Sequence, residues 1–517
     1  MGSFAITYDD FTGGHYMGNR DTAQPSNTWT GTNTMLDPRG NLVATNSPLL
    51  ATLTGPTPGP NDTFTIDGVF SVPDYVVIFH TYYSAGSATR TSKCNLYRIS
   101  TGAFSALSLT LAGNPQGFIA PDQSSDKARF YYVDATGNIR LIEFTYKGAV
   151  SLTETLVTAT TNVKTSLYKY KYRLLGLGLT GTIRNRLLYS DPTMTTWGAT
   201  DYYEFPGQIT NVAPRTNDLV VTTTAGIYSV TGVFGESINI QEIYTFAEMS
   251  QGMTNPVTYG RDFIYLNDYL DSMNGKVFAG LGTNKTLIAT LDLEAEPPLN
   301  IALINPGLIA IASESGYAYI MDNSGRWARS VFSNWDPADI GTGGSTSTSG
   351  SVGTSAVTLA NLPGNMYFAE PAIKPYERDV TDVVAYLVRT KNTDIKLYGT
   401  VHTAKNPVTN ATGSVLLAEY WHNKPMVVRE VIVEVEYVGT GSSASLAVNI
   451  IPTGAVDINT ATAPNMTSST ITAPSETTAS TIIHRFRVDN AGRAYGFKPN
   501  ITHKGVRIRR VICVCED

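Results

Sequence analysis

Apolar residues recur along this chain at every second position or in short runs, and Gly, Asn, Asp and Pro separate the runs. A spacing of two is the period of a half-buried β-strand, whereas an amphipathic helix needs apolar residues three and four apart. In 431–437 valines alternate with glutamates, and in 168–173 tyrosines alternate with Lys and Arg, so each segment predicts a strand with one inward face. The pattern predicts an all-β protein.

A pair of β-rich runs joined by a turn returns at a nearly constant interval between residues 75 and 335. The turn glycines lie 41 to 49 residues apart: Gly137, Gly181, Gly226, Gly275 and Gly316. The paired runs are 130–133 with 139–144, 174–179 with 187–189, 219–221 with 227–230, 263–266 with 277–279 and 308–312 with 317–321; one interval earlier, 76–83 precedes 96–99. A period of about 40–50 residues is typical of β-propeller blades. The recurrence therefore predicts a β-propeller of about six blades, with a pair of β-sandwiches as the alternative.

The composition changes after Trp335, where residues 340–355 consist almost entirely of Gly, Ser and Thr. Such a segment has no side chains able to bury a face and is typical of a linker. Strand-like runs then resume to the end of the chain. We predict an extended segment 1–70 that joins or closes the propeller, a propeller at 71–335, a linker at 336–358 and an antiparallel C-terminal β-sandwich at 359–517, with a long loop at 452–478.

Charge and composition exclude several classes of protein. Only 15% of the 517 residues are charged and the net charge is −6, whereas a general nucleic-acid coat needs a strong positive excess. The sequence shows no signal-peptide pattern and no apolar run long enough to span a membrane, so we expect neither secretion by a signal peptide nor a membrane span. Three cysteines, Cys94, Cys513 and Cys515, are too few for a disulfide framework, and Cys94 is interpreted as a packed apolar residue. Partners are expected to be proteins or glycans.

No metal or cofactor site is predicted. The six histidines are scattered, and His484 shares a strand face with apolar residues, which indicates a packed histidine. Asp268, Asp271 and Asn274 precede Gly275 without the alternating spacing of a calcium loop, so we interpret them as a polar turn. Five arginines form a patch if their strands pair: Arg485, Arg487, Arg507, Arg509 and Arg510. A solvated sheet face or subunit salt bridges explain them better than nucleic-acid binding, because no aromatic residue alternates with them.

One segment carries a weak echo of a catalytic fold. Ser190–Trp197 partly resembles the Asp-box turn of sialidase-type propellers, but Pro192 stands at the Asp position and Met194 at the Gly position. Residues 322–327 are a looser echo. An Asp box is a structural turn, and glycosidase chemistry needs a carboxyl pair that the sequence does not place. No catalytic residue is assigned, and a protein that is not an enzyme is predicted.

The beginning of the chain and part of the predicted ring resemble a known family. The first segment contains Asp10-Phe11-Thr-Gly13-Gly14, then Arg20-Asp21, Asn27-x-Trp29 and Asp37-Pro38-Arg39-Gly40-Asn-Leu42; the second contains Leu188-Tyr-Ser-Asp-Pro192, Trp197, Tyr202, Ile209, 217–221 and 226–232. These segments resemble the start and the central blades of tail proteins of double-stranded DNA bacteriophages. Residues 45–49 replace the Arg-Pro-Gly that usually follows the first segment.

The family that this resemblance suggests is the tail nozzle, or tail tubular protein B type, of short-tailed phages. The resemblance implies a structural virion protein of which six copies form a ring around the DNA exit channel, below the adaptor ring and in contact with fibres or spikes. DNA is expected to pass through this ring during ejection without sequence-specific binding. The alternatives are a glycan-binding or glycan-cleaving propeller and an intracellular propeller scaffold.

Overall fold

The structure is a computed structural model, and all the regular elements that it describes are β-strands. It describes residues 2–16, 26–36, 39–44, 49–56, 62–159, 161–178, 185–214, 218–245, 412–437, 443–456, 469–472, 481–488 and 492–517, together with individual strands between 257 and 402. The predicted linker at 336–358 lies outside the described residues.

Six short strands occupy the N-terminal part of the chain. They are β1 (Ser3–Tyr8), β2 (Gly14–His15), β3 (Thr28–Thr32), β4 (Thr34–Leu36), β5 (Leu42–Ala44) and β6 (Leu49–Leu53). None of them forms a four-stranded blade of its own. β2 pairs with β3 and β4 pairs with β5, whereas the other partners of these strands lie several hundred residues away in the sequence.

Six antiparallel sheets of four consecutive strands follow, and we number them blades 1 to 6. Their strands are β7 (Thr63–Val72), β8 (Tyr75–Ser84), β9 (Thr89–Arg98) and β10 (Ala103–Thr110); β11 (Ala120–Gln123), β12 (Lys127–Val133), β13 (Ile139–Thr145) and β14 (Ser151–Thr158); β15 (Thr165–Tyr170), β16 (Arg173–Leu177), β17 (Arg186–Tyr189) and β18 (Tyr202–Glu204); β19 (Ile209–Pro214), β20 (Asp218–Thr223), β21 (Gly226–Val233) and β22 (Ser237–Thr245); β23 (Val257–Tyr259), β24 (Asp262–Leu266), β25 (Lys276–Leu281) and β26 (Asn284–Thr290); β27 (Pro298–Asn305), β28 (Leu308–Ser313), β29 (Tyr317–Met321) and β30 (Trp327–Val331).

The predicted propeller is confirmed, because each of the six predicted hairpins forms the two central strands of one blade. Alternation predicts these strands well because neighbouring blades pack face to face. Phe79 of blade 1 packs against Phe130 of blade 2, with ring centroids 5.2 Å apart. The turn glycine Gly137 has a φ of +84°, a conformation that favours glycine.

A seventh blade follows in the chain, and it includes strands beyond residue 358, where the sequence predicts the sandwich. It consists of β31 (Met366–Phe368), β33 (Val383–Lys391), β34 (Asp394–His402) and, as its outer strand, β6; β32 (Glu370–Pro371) pairs in parallel with β7. Residues 359–402 were predicted to belong to the sandwich. The described strands of this range, β31, β33 and β34, lie in the propeller instead, because Ile395 and Leu397 are buried in the cluster that contains Ile66 and Ile78 of blade 1.

The first described strand of the sandwich after blade 7 starts at residue 412. The C-terminal sandwich strands are β35 (Thr412–Leu417), β36 (Tyr420–Tyr437), β37 (Ser443–Ala455), β38 (Ser469–Thr472), β39 (Thr481–Arg487), β40 (Ala494–Lys504) and β41 (Val506–Glu516). One sheet has the order β5-β41-β36-β39 and the other β3-β35-β40-β37-β38. Val431, Val433 and Val435 are fully buried between them, as the alternation predicts. The predicted loop at 452–478 contains the end of β37 and all of β38.

The tyrosine-rich segment 168–173 is not one continuous strand. β15 ends at Tyr170, and Lys171, with a φ of +54°, turns the chain so that Arg173 pairs with Tyr170. Tyr168 and Tyr170 are buried, whereas Tyr172 is 41% exposed in the turn. The prediction of one aromatic face through Tyr172 is wrong, because a tight turn and a continuing strand share the same alternation at this length.

Candidate functional site

The N-terminal strands connect the propeller to the sandwich, and we call residues 3–53 the strap. Its strand β1 runs antiparallel to β41, with Ser3 opposite Glu516. Its strand β3 runs antiparallel to β35, with Trp29 opposite Leu417. Its last strand, β6, completes blade 7 next to β34. One segment therefore supplies strands to both domains.

The strap is packed closely against the sandwich. Trp29 is fully buried and Phe11 is 2% exposed, so both rings belong to the sandwich core. A Cβ on Gly31 would lie 2.0 Å from the carbonyl oxygen of Ser414, so only glycine fits at this approach of two strands. Phe11 and Trp29 are among the residues that carry the resemblance to phage tail proteins. In the structure these two side chains anchor the strap in the sandwich core.

The strap also joins the sandwich to blade 6. The N–H of Asn33 donates to the carbonyl oxygen of Arg329 at 2.8 Å, and Nε of Arg329 donates to the carbonyl oxygen of Gly31 at 3.1 Å. Arg329 on β30 lies opposite Thr34 on β4, and β4 pairs with β5, which pairs with β41. The sheet of blade 6 therefore continues without interruption into the sandwich.

A buried histidine lies under this junction. Nε2 of His503 is 3.1 Å from the hydroxyl oxygen of Thr34, which is itself 3.2 Å from the carbonyl oxygen of Ser414. His503 is completely buried, and burial lowers its pKa to about 4. The imidazole is therefore neutral at pH 7 and acts as a polar packing group between strap and sandwich.

The outer face of the sandwich carries alternating rows of opposite charge. Glutamates of the central strand β36 face arginines on both neighbouring strands, β39 and β41. Arg485 lies 3.2 Å from Glu430, and Arg510 lies 2.7 Å from Glu434. These pairs support the interpretation of the arginine patch as salt bridges within the subunit. Cross-strand pairs of this kind stabilise a sheet modestly, by about 0.2–1 kcal/mol each.

Three arginines converge on one glutamate at the strap end of this face. Glu436 is 5% exposed and lies 3.3 Å from Arg509, 4.0 Å from Arg507 and 3.9 Å from Arg39. Arg39 belongs to the turn of the strap that carries the family resemblance. Glu436 thus lies between arginines of β41 and the exposed Arg39 of the strap, and an ion pair as exposed as that with Arg39 contributes little to stability.

The segment that resembles an Asp box forms a turn held by one carboxylate. Oδ1 of Asp191 accepts hydrogen bonds from the backbone N–H groups of Thr195 and Thr196, both at 2.8 Å. Burial alone would raise the pKa of Asp191, but these and neighbouring hydrogen bonds outweigh it and keep the pKa below its ordinary value. Met194 has a φ of +61°, so it adopts the conformation that the family gives to glycine. The turn is structural, as predicted.

Blade 2 contains a partly buried charge cluster that the sequence analysis missed. Nε of Arg140 lies 3.0 Å from Oδ2 of Asp134, Nη1 lies 3.5 Å from Oε1 of Glu154, and the Tyr132 hydroxyl donates to Glu154 at 2.5 Å. Burial opposes ionisation of Asp134, but hydrogen bonds from Thr136, Arg140 and neighbouring groups lower its pKa to about 2. All four groups are satisfied by one another, so the cluster fixes the blade.

Asp67 is a second missed residue, and it lies on the innermost strand of blade 1. The register shifts between Ile66 and Gly68, which leaves Asp67 as the extra residue of a β-bulge. The Thr81 hydroxyl donates to its Oδ2 at 2.6 Å. Burial outweighs this hydrogen bond and raises the pKa of Asp67 to about 7. A lone Asp in an apolar strand is the only sequence signal for it.

The other candidates contribute no described site. No group of three or more His, Cys, Asp or Glu side chains converges as a metal ion requires within the described ranges, and Asp268, Asp271 and Asn274 lie outside them. All three cysteines are free and buried, and Cys94 is a packed core residue as predicted. His484 is half-buried opposite Val433. The described part of the chain contains no helix of the length and apolarity that crossing a membrane requires.

No protein-family model and no curated protein matches this chain. Similar solved structures include the β-propeller domain of the trilobed protease from Pyrococcus furiosus, described as having an open velcro topology, at 11% identity and a TM-score of 0.39 over 67% of this chain and 96% of that one. YCF48 from Cyanidioschyzon merolae gives 11% identity and a TM-score of 0.38, with 68% and 98% covered. The acylaminoacyl peptidase of Pyrococcus horikoshii gives 8% identity and a TM-score of 0.40, with 69% and 58% covered.

The prediction that this chain is not an enzyme is wrong by this comparison, and we withdraw it. Three acylaminoacyl peptidase structures and a prolyl endopeptidase structure are among the similar ones. The chain spans 57–59% of the length of the acylaminoacyl peptidase chains. At identities of 8–13%, the likeness concerns the propeller fold, and it assigns no reaction to this chain.

Proposed function

We propose that this chain is a structural subunit of the tail nozzle of a short-tailed double-stranded DNA phage. Several copies, six by the family resemblance, surround the DNA exit channel as a ring in the virion. The neighbours of this ring are the adaptor ring and the fibres or spikes. DNA passes through it without sequence-specific contacts.

The observation that carries the proposal is the construction of the strap. The residues that resemble the start of phage tail proteins include Phe11 and Trp29, which are buried in the sandwich core and hold the strap there, and Arg39, which lies 3.9 Å from Glu436. The same segment closes blade 7 through β6 and continues blade 6 through β4. A subunit whose two domains share sheets resists bending between them, which suits the wall of a pressurised channel.

Charge supports the same proposal. The net charge of −6 is repeated in every subunit of a ring, and a wall of negative potential repels DNA phosphates. DNA that does not adhere to the wall can slide during ejection. The low content of charged residues, 15%, leaves polar and aromatic side chains for contacts between subunits.

Native mass spectrometry with negative-stain imaging tests the proposal. We expect particles of about six times the 55.8 kDa chain mass with sixfold symmetry and an open axis. We also expect the chain in purified virions, at a position on the tail axis that an antibody label locates. A monomer in solution together with absence of the chain from virions would refute the proposal.

A further inference from the structure

An exposed tryptophan lies flat on the sandwich, at the end opposite the strap's charged turn. Trp421, near the start of β36, is 57% exposed, whereas Trp29 of the same domain is fully buried. Tyr495 on β40 is 40% exposed and Val456 after β37 is 48% exposed. Single exposed apolar residues are common on proteins, but three large ones at adjoining strands mark this region as a candidate binding surface.

Two glycines hold the Trp421 ring against the sheet. A Cβ on Gly496 would lie 3.1 Å from Cδ2 of Trp421, and a Cβ on Gly454 would lie 3.2 Å from both Cζ3 and Cη2. The six-membered ring therefore spans the backbones of β40 and β37. The same Gly454 position is 3.5 Å from Cβ of Tyr495, so both aromatic residues border one glycine. Side chains at either glycine would lift the ring.

In this seat Trp421 remains 57% exposed to solvent. A tryptophan that anchors a protein interface usually projects into a pocket of its partner, where it becomes fully desolvated. A ring fixed along the sheet cannot project in this way. It offers a flat apolar area instead, and the C–H face of a pyranose ring is a flat apolar area of similar size.

We propose that Trp421 and Tyr495 form a glycan-binding platform for pyranose sugars that carry a carboxylate. We assign the acidic preference to Arg493, which lies two residues before Tyr495 and whose carbonyl oxygen accepts the N–H of Val456 at 3.0 Å, so that its backbone borders the platform. Arg493 is exposed, and no carboxylate of the described residues pairs with it, in a chain whose net charge is −6. The platform is independent of the nozzle proposal.

An oligosaccharide array followed by calorimetric titration tests the platform with the full chain. The array carries neutral glucans and galacturonate oligomers of equal length. We expect the chain to retain galacturonate oligomers more tightly than glucans. Trp421→Ala should weaken binding to both by about tenfold or more, and Arg493→Gln should weaken only the acidic ligand. Ile483→Ala, at a residue 58% exposed on β39 of the same domain, is the matched control and should leave binding unchanged.

Two results overturn the platform. One is binding that Trp421→Ala leaves within twofold of the native chain. The other is a lack of binding to every array member, whether or not Trp421→Ala also changes the native mass of the particle; a changed mass would assign the surface to contacts between proteins. Neither result bears on sixfold assembly of the native chain, so failure of the platform and failure of the nozzle proposal are distinguishable.

Discussion

Replacing Gly31 with alanine tests whether the strap depends on the closest approach in the sandwich. The new Cβ would lie 2.0 Å from the carbonyl oxygen of Ser414, whereas real Cβ atoms essentially never approach within 3.0 Å. Because the obstructing atom belongs to the backbone, β3 must move away from β35 by about 1 Å. Hydrogen bonds near the pair of Gly31 with Val415 then stretch beyond their useful length.

The expected cost is about 2–4 kcal/mol. Two lost backbone hydrogen bonds contribute about 0.5–1.5 kcal/mol each, and partial exposure of the buried Trp29 ring contributes the remainder. Hydrogen exchange followed by mass spectrometry measures this locally, which is preferable to a global melting temperature for a chain of two domains. We expect exchange in β3 and β35 to accelerate roughly 30- to 1,000-fold.

Gly86→Ala is the matched control, since a Cβ there has no atom within 4 Å. This substitution should leave exchange in the strap unchanged. If Gly31→Ala exchanged within threefold of the native chain, the strap would not depend on this approach, and the argument that it fixes the two domains would fail.

Two further perturbations concern buried charge in the propeller. The pKa of Asp67 in the folded chain is about 7, above its ordinary value, so the protonated carboxyl contributes stability that is complete below about pH 4 and is lost as the pH rises to 7. The free energy of unfolding of the native chain, measured with urea, should fall by at most about 4 kcal/mol over this range. Asp67→Asn should make this free energy nearly independent of pH. An equally steep profile in Asp67→Asn would contradict this assignment. Arg140→Ala leaves Asp134 and Glu154 without their shared cation and should destabilise blade 2 by about 2–4 kcal/mol. The urea concentration at the unfolding midpoint should fall accordingly. Arg90→Ala, at an exposed residue, is the control and should leave that midpoint unchanged.

The blades could be predicted because the pattern that defines them is local. Each hairpin, such as β12 with β13, contains its alternation, its turn glycine and its partner within about 20 residues. Blade 7 was missed because its outer strand, β6, lies more than 300 residues from β34, and Ile395 and Leu397 alternate in the same way in a blade as in a sandwich. The alternation of apolar residues identifies the buried face of a strand, but it does not identify the strand with which it pairs.

The residues that form the surface and buried sites described above were harder to predict for a related reason. Trp421 is marked by its seat on Gly454 and Gly496, and these three residues come from three strands that only the register brings together. Asp67 owes its raised pKa to a bulge that no spacing rule indicates. In contrast, the Asp191 turn was interpretable because all its partners lie within five residues.

The pairing of β1 with β41 sets a delay in the biosynthesis of this protein. Glu516 is translated 513 residues after its partner Ser3, which corresponds to roughly half a minute to two minutes at 5–20 residues per second. During that interval the backbone edge of β1 that pairs with β41 is unpaired, and on a polysome several nascent chains have this unpaired edge close to one another. A neighbouring nascent chain that finishes earlier presents an equivalent β41, so strand exchange between chains competes with self-pairing. Slower initiation, which spaces the ribosomes, should therefore raise the yield of correctly closed subunits.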